Sequence, residues 1–135
     1  MTVGAGTKYR SKHVEGPFDA IVIGSGMGGL STASLLAQAG KKTLVLEQHY
    51  TIGGSTHSFT RKGYEWDVGL HYVGDVQSQS SVLRQVFDHV TKEGVKWAAL
   101  PEVYNRFAIG DNVYDIRAGK EAYAKQMKEY FPEEA

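Results

Sequence analysis

"AIVIGSGMGGLSTASLLAQAG", residues 20–40, joins a greasy run, a knot of glycines and a stretch of small, helix-forming residues. Ile21, Val22 and Ile23 are β-branched and leave the run apolar on both faces, which predicts a buried parallel strand over residues 18–23. From Met27 to Ala39 the residues are small or good helix formers, with Leu30, Leu35 and Leu36 as the bulky members. Gly40 stands where a helix C-terminal glycine is expected, and Lys41 and Lys42 suit the negative end of a helix dipole. Thr43 to Leu46 reads as a second buried strand, ending at Glu47. The three pieces make a β-α-β unit, for which a right-handed crossover is favoured.

Between strand and helix, Gly24, Gly26 and Gly29 satisfy G-x-G-x-x-G. Gly24 permits a tight turn out of the strand. Gly26 lets a pyrophosphate approach the backbone, and Gly29 lets the helix pack close to the strand. The helix start then offers unpaired N–H groups and the positive end of its dipole to phosphates. Ser25 and Gly28 lie within the corner, and Met27 is placed to pack against a nucleotide. Glu47 follows Gly24 by 23 residues, close to the roughly 20 expected of a ribose-binding acid. The unit therefore reads as a dinucleotide site. An acid at residue 47 repels a 2′-phosphate, which disfavours NADP and leaves NAD and FAD open.

The 135 residues fit one domain of ordinary size, and 41% hydrophobic content is enough for a core. Lys+Arg and Asp+Glu are each 15, a balance that argues against non-specific nucleic-acid binding. Without cysteine there is no disulfide, thiolate metal site or cysteine nucleophile. The five histidines show no metal-ligand spacing. Met1–Pro17 is expected to be a mobile polar lead-in with no signal peptide, and no stretch approaches a membrane span of about 20 apolar residues. A cytoplasmic or peripheral-membrane location is expected.

Further along, Ser58–Arg61 and Tyr64–Val68 are expected to form a hairpin that turns at Lys62-Gly63. A helix is expected over Gln79–Val90, with Val82, Leu83, Val86, Phe87 and Val90 at helical spacing. Strands at Tyr104–Ile109 and Val113–Ile116 flank Gly110-Asp111-Asn112, and a helix is expected over Lys120–Phe131. Tyr64, Trp66, Tyr104 and Phe107 read as strand core, and Arg61 and Lys62 as a solvated turn. His49 and His57 read as loop residues. His71, next to aromatic Tyr72, reads on its own as a packed core histidine.

Residues 19–59, from Asp19 through "LEQHYTIGGSTHSF", resemble the N-terminal FAD-binding segment of the flavin amine oxidase and phytoene desaturase superfamily. In that group the strand-end acid is followed six positions later by a glycine pair, matched here by Glu47, Gly53 and Gly54. The resemblance implies FAD, with backbone at the pair lying against the pyrophosphate. It extends the contact set from the glycine corner to Gln48, His49, Ser55 and Thr56. Many members carry Arg where this chain has His49, which leaves the adenosine-side contact open. "WDVGLHYVGD", residues 66–75, is similar to a family segment that passes the flavin ring, and so implies Gly69, Leu70, His71 and Tyr72 as flavin neighbours. The "GLHYVG" wording is most similar to the retinol saturase and carotenoid isomerase branch.

The resemblance implies a Rossmann-like β-α-β unit of the glutathione-reductase type, followed by the start of an α+β substrate domain. Residues 18–75 would be the N-terminal part of the FAD domain, and residues 76–135 the opening of the substrate region. The implied activity is flavin hydride transfer to or from a conjugated polyene such as a retinoid or carotenoid. Peripheral membrane contact would bring the apolar substrate. An amine oxidase or a non-catalytic FAD- or nucleotide-binding module are the alternatives, and no side chain is named as a catalyst. The chain is expected to be a fragment whose C-terminal remainder completes the sheet and closes over the flavin.

Overall fold

A computed structural model describes residues 6–10 and 14–134. Of the expected lead-in, residues 1–5 and 11–13 lie outside the described residues. The chain forms two compact units, Met1–Lys96 and Trp97–Ala135. The boundary expected at Val76 falls inside the first of them.

In the first unit, β1 (Ala20–Ile23) pairs in parallel with β2 (Thr43–Leu46), Val22 opposite Val45, and α1 (Met27–Gln38) connects them. Gly40 adopts φ +78° just past the helix, as expected of a C-terminal glycine. Lys41 and Lys42 lie beyond the last turn of α1. Lys42 instead ties the strand entrances: its N–H donates to Asp19 Oδ2 at 2.7 Å and its ammonium lies 5.1 Å from the Phe18 ring centre.

The two strands carry buried-type residues, yet neither is buried on both faces. α1 packs on β1 and β2 from one side, so Val22 and Val45 are partly covered, while Ile21 and Ile23 are 58% and 86% exposed. A two-stranded sheet with a helix on one face leaves its other face open, whatever the side chains prefer. Among the described residues Val76 is the one buried apolar side chain.

A hairpin follows, β3 (Ser58–Arg61) with β4 (Tyr64–Asp67), Phe59 opposite Trp66. Its turn places both Lys62 (φ +53°) and Gly63 (φ +82°) in the left-handed region, as a type I′ turn requires. All of β4 is exposed, so Tyr64 and Trp66 are not strand core. Then α2 spans Val82–Thr91. It starts three residues later than the apolar spacing predicts, because the buried Ser81 hydroxyl accepts the Arg84 N–H at 3.3 Å and sets the N-cap. α2 meets α1 through Ser34 Oγ, which donates to the Val90 carbonyl at 2.5 Å, and Gln38 Nε2, which donates to the His89 carbonyl at 3.2 Å. Only Phe87 and Val90 of its apolar stripe gain cover; Val82, Leu83 and Val86 are exposed.

The second unit is an antiparallel pair, β5 (Val103–Ile109) and β6 (Asn112–Arg117), with α3 (Lys120–Tyr130) against β6. Ile109 pairs with Asn112, so the turn is Gly110-Asp111 and Asn112 belongs to the strand. Buried Gln126 accepts the Arg117 N–H at 3.2 Å and donates to Tyr130 Oη, which accepts the Asp115 N–H at 3.0 Å. Tyr114 stacks on Phe131 at 5.8 Å. Phe107, expected in a core, is half exposed, while α3 packs on β6.

Candidate functional site

The glycine corner is shaped by three separate physical needs. Gly24 turns out of β1 at φ +93°, its N–H bonded to the Leu46 carbonyl at 2.7 Å. A Cβ on Gly29 would stand 2.1 Å from the Gly24 carbonyl oxygen, so no larger residue allows α1 to sit this close. Gly26 is the N-cap of α1, and a Cβ there would meet nothing within 4 Å. The space over Gly26 is open, no side chain caps α1, and no acidic residue stands in its first turn. This is the arrangement an anion can use at a helix N-terminus.

Ser25 is the knot of the site and is fully buried. Its N–H and its hydroxyl both donate to Glu47 Oε2, at 2.7 and 2.6 Å. Its carbonyl and its hydroxyl both accept from the Gly53 N–H, at 3.0 and 3.2 Å. The glycine corner, the strand-end acid and the glycine pair are thus drawn together through one residue. The pair itself needs glycine: Gly53 has φ +114° and Gly54 φ +58°, and a Cβ on Gly54 would lie 2.9 Å from the Gly26 Cα.

Glu47 Oε1 accepts the His49 N–H at 2.8 Å. These bonds favour the carboxylate, and its pKa falls from 4.5 to about 2, led by the Ser25 hydroxyl and then the His49 and Ser25 N–H groups. Two carboxylate oxygens have about four acceptor sites. Ser25 and His49 use three, and the Gln48 N–H acts on the carboxylate more weakly.

The lowered pKa fixes the sign of the pH response. Bonds to the ionised form contribute stability at pH above about 4.5, and this contribution is lost as pH falls toward about 2. A titration of the Glu47 side-chain carbon resonance should therefore show a midpoint near 2. A midpoint near 4.5 would contradict the Ser25 network.

A short 3-10 turn, Gly54–Thr56, follows the pair, and Thr56 Oγ1 donates to the Gly53 carbonyl at 2.7 Å. Gly69 lies against this turn, its would-be Cβ 3.1 Å from the Ser55 carbonyl oxygen. Leu70, His71 and Tyr72 are exposed. His71 sits 3.8 Å from Asp67 with its side chain 64% exposed, which excludes the packed-core alternative in this chain. Met27 and Gln48 are also exposed.

The spacing of residues does not reveal what His57 does. Its Nδ1 lies 2.5 Å from the Gly54 carbonyl oxygen, and its ring is 4.9 Å from the His49 ring, with Tyr50 4.2 Å beyond His49. The signal available in the sequence was only its place three residues after Gly54.

The family model described as an NAD(P)-binding Rossmann-like domain matches residues 22–90, from β1 through α2. The chain belongs to this Rossmann-like domain family. All-trans-retinol 13,14-reductase of Danio rerio is 40% identical over 130 residues, covering 93% of this chain and 21% of the relative. A second Danio rerio protein, named inactive all-trans-retinol 13,14-reductase, is 39% identical over 95% of this chain and 22% of its own length. Prolycopene isomerase of Daucus carota is 50% identical over 101 residues, 75% of this chain and 15% of the relative. The chain spans about a fifth of the length of the retinol reductases it matches. The Rossmann-like domain thus accounts for β1, α1, β2 and the site they build, and it implies a nucleotide cofactor.

Proposed function

We propose that this chain is the cofactor-binding opening of an FAD-dependent oxidoreductase that acts on a conjugated polyene, a retinoid or carotenoid. The observation that carries the reading is the Ser25 knot, which joins a phosphate-type helix start to Glu47 and to the Gly53-Gly54 pair. The retinol reductase and prolycopene isomerase relatives supply the substrate class. In this reading residues 18–75 carry the cofactor contacts, in a β-α-β unit of the glutathione-reductase type.

The residues fit FAD on the geometry of the corner. Open space over Gly26 and the uncapped start of α1 would take the pyrophosphate, and Glu47 Oε1, which accepts the His49 N–H, would also accept a ribose hydroxyl. Ser55 and Thr56 follow on the same turn, and Gly69, Leu70, His71 and Tyr72 would face the flavin side. When bound, the flavin supplies hydride transfer, which no side chain can perform. The chain's own part is to anchor the diphosphate and ribose, leaving the polyene site to the rest of the protein. An apolar polyene would be drawn from a membrane surface. Among the described residues no helix is long and apolar enough to cross a membrane.

A second reading, a non-catalytic FAD-binding module, is raised by the relative named inactive, which shares this segment at 39% identity, but is not favoured over the first. The two readings share the site and differ in turnover. Glu47→Gln tests the site itself. Loss of a charged acceptor should lower FAD affinity roughly ten- to a hundredfold. Titration calorimetry on the intact protein checks this, and unchanged affinity would remove Glu47 from the site.

A further inference from the structure

His57 stands outside the glycine corner, yet its ring is bonded to the part of the site that most needs holding. Gly53 and Gly54 are consecutive residues in the left-handed region, a conformation that an unrestrained glycine leaves readily. The Gly53 carbonyl is held twice, by the Thr56 N–H at 3.1 Å and the Thr56 hydroxyl at 2.7 Å. The Gly54 carbonyl is held by the His57 N–H at a long 3.4 Å and by His57 Nδ1 at 2.5 Å. A carbonyl only accepts, so Nδ1 carries the proton and donates. The ring bond is the stronger of the two.

That bond orients a peptide plane. The Gly54–Ser55 bond is trans, and in a trans peptide the C=O and N–H point in opposite directions. With the Gly54 carbonyl turned to His57, the Ser55 N–H is turned away from it. The His49 ring lies 4.9 Å from the His57 ring, and the His49 N–H donates to Glu47.

We propose that His57 is a positioning residue for the diphosphate of the bound dinucleotide. Its Nδ1–H fixes the Gly54–Ser55 peptide so that the Ser55 N–H is presented as a donor to phosphate oxygens. The inference rests on the dinucleotide reading of the site and adds to it a residue whose ring donates to backbone and not to the ligand.

The test measures FAD and AMP affinity by calorimetry on the intact protein and on His57→Asn, His57→Phe and His57→Ala, with melting temperatures as the check on folding. Asn retains a side-chain N–H donor, Phe retains the ring without it, and Ala retains neither. Phe and Ala should weaken FAD about five- to tenfold, the scale of one hydrogen bond. Asn should recover to within about twofold of wild type. AMP, which lacks the flavin-side phosphate, should lose less affinity than FAD in the Phe and Ala variants. Full affinity in the Phe variant, or parallel loss of AMP and FAD, would overturn the proposal and leave the ring as packing. Glu47→Gln serves as the separating control, since it should weaken both ligands. If neither ligand binds the wild type, the dinucleotide reading itself fails and the proposal with it.

Discussion

Gly29→Ala should unfold the first unit or leave it without α1 docked. The new Cβ would lie 2.1 Å from the Gly24 carbonyl oxygen and 3.4 Å from Val22 Cγ1. Relief requires α1 to move off β1, which breaks the Gly24 turn and draws Ser25 away from Glu47. Overpacking of this severity against backbone costs about 3 kcal/mol or more. Little apolar burial is available to offset it, since Val76 is the one buried apolar side chain among the described residues. Urea unfolding monitored by circular dichroism checks the loss. A variant with wild-type stability would mean that α1 does not pack on the corner as described.

Gly26→Val should do the opposite: keep the fold and lose the ligand. Nothing lies within 4 Å of a Cβ at residue 26, and its φ of −65° is one that any residue adopts. The melting temperature should therefore move by only a few degrees, as for an ordinary N-cap change. The branched side chain would instead fill the space where phosphate must approach, and FAD affinity should fall by about a hundredfold or more, exceeding the loss in Glu47→Gln. Calorimetry and a thermal melt on one preparation check both halves. Retained FAD affinity would place the diphosphate elsewhere. Gly26 and Gly29 lie in one motif, and the structure separates their duties: one makes room for ligand, the other for helix.

Much of this site is legible in the sequence because its constraints are local. Gly24, Gly29 and Gly40 sit where backbone sterics demand glycine. β2 follows α1 at once, and Glu47 comes at the end of a four-residue strand. What sequence spacing cannot carry is the third dimension of hydrogen bonding. Ser25 reads as one more member of the glycine corner, with nothing to show that it is the buried residue that ties Glu47 to Gly53. His57 reads as a loop residue because its partner is a carbonyl oxygen, which every residue has.

The burial expectations fail for a different reason. Ile21, Ile23, Trp66 and Val82 have the composition of core positions, and composition reports what a residue prefers to touch. Contact also needs a covering layer, and in this chain β1–β2 and β3–β4 are two-stranded sheets with at least one face open. Such exposed apolar surface favours association. The site escapes the same failure because its bonds run between β1, α1, β2 and the turn after them, within residues 24–57.

The cofactor proposed for the Gly24–Glu47–Gly53 site is FAD, held without a covalent bond. The most direct measurement is to purify the intact protein and its Gly26→Val variant side by side, denature each in acid, filter, and identify the released nucleotide by chromatography. The account predicts FAD in the filtrate, close to one per chain for the wild type and little or none for the variant. Colour that stays with the polypeptide, a nicotinamide nucleotide in place of FAD, or equal FAD from both proteins would contradict it.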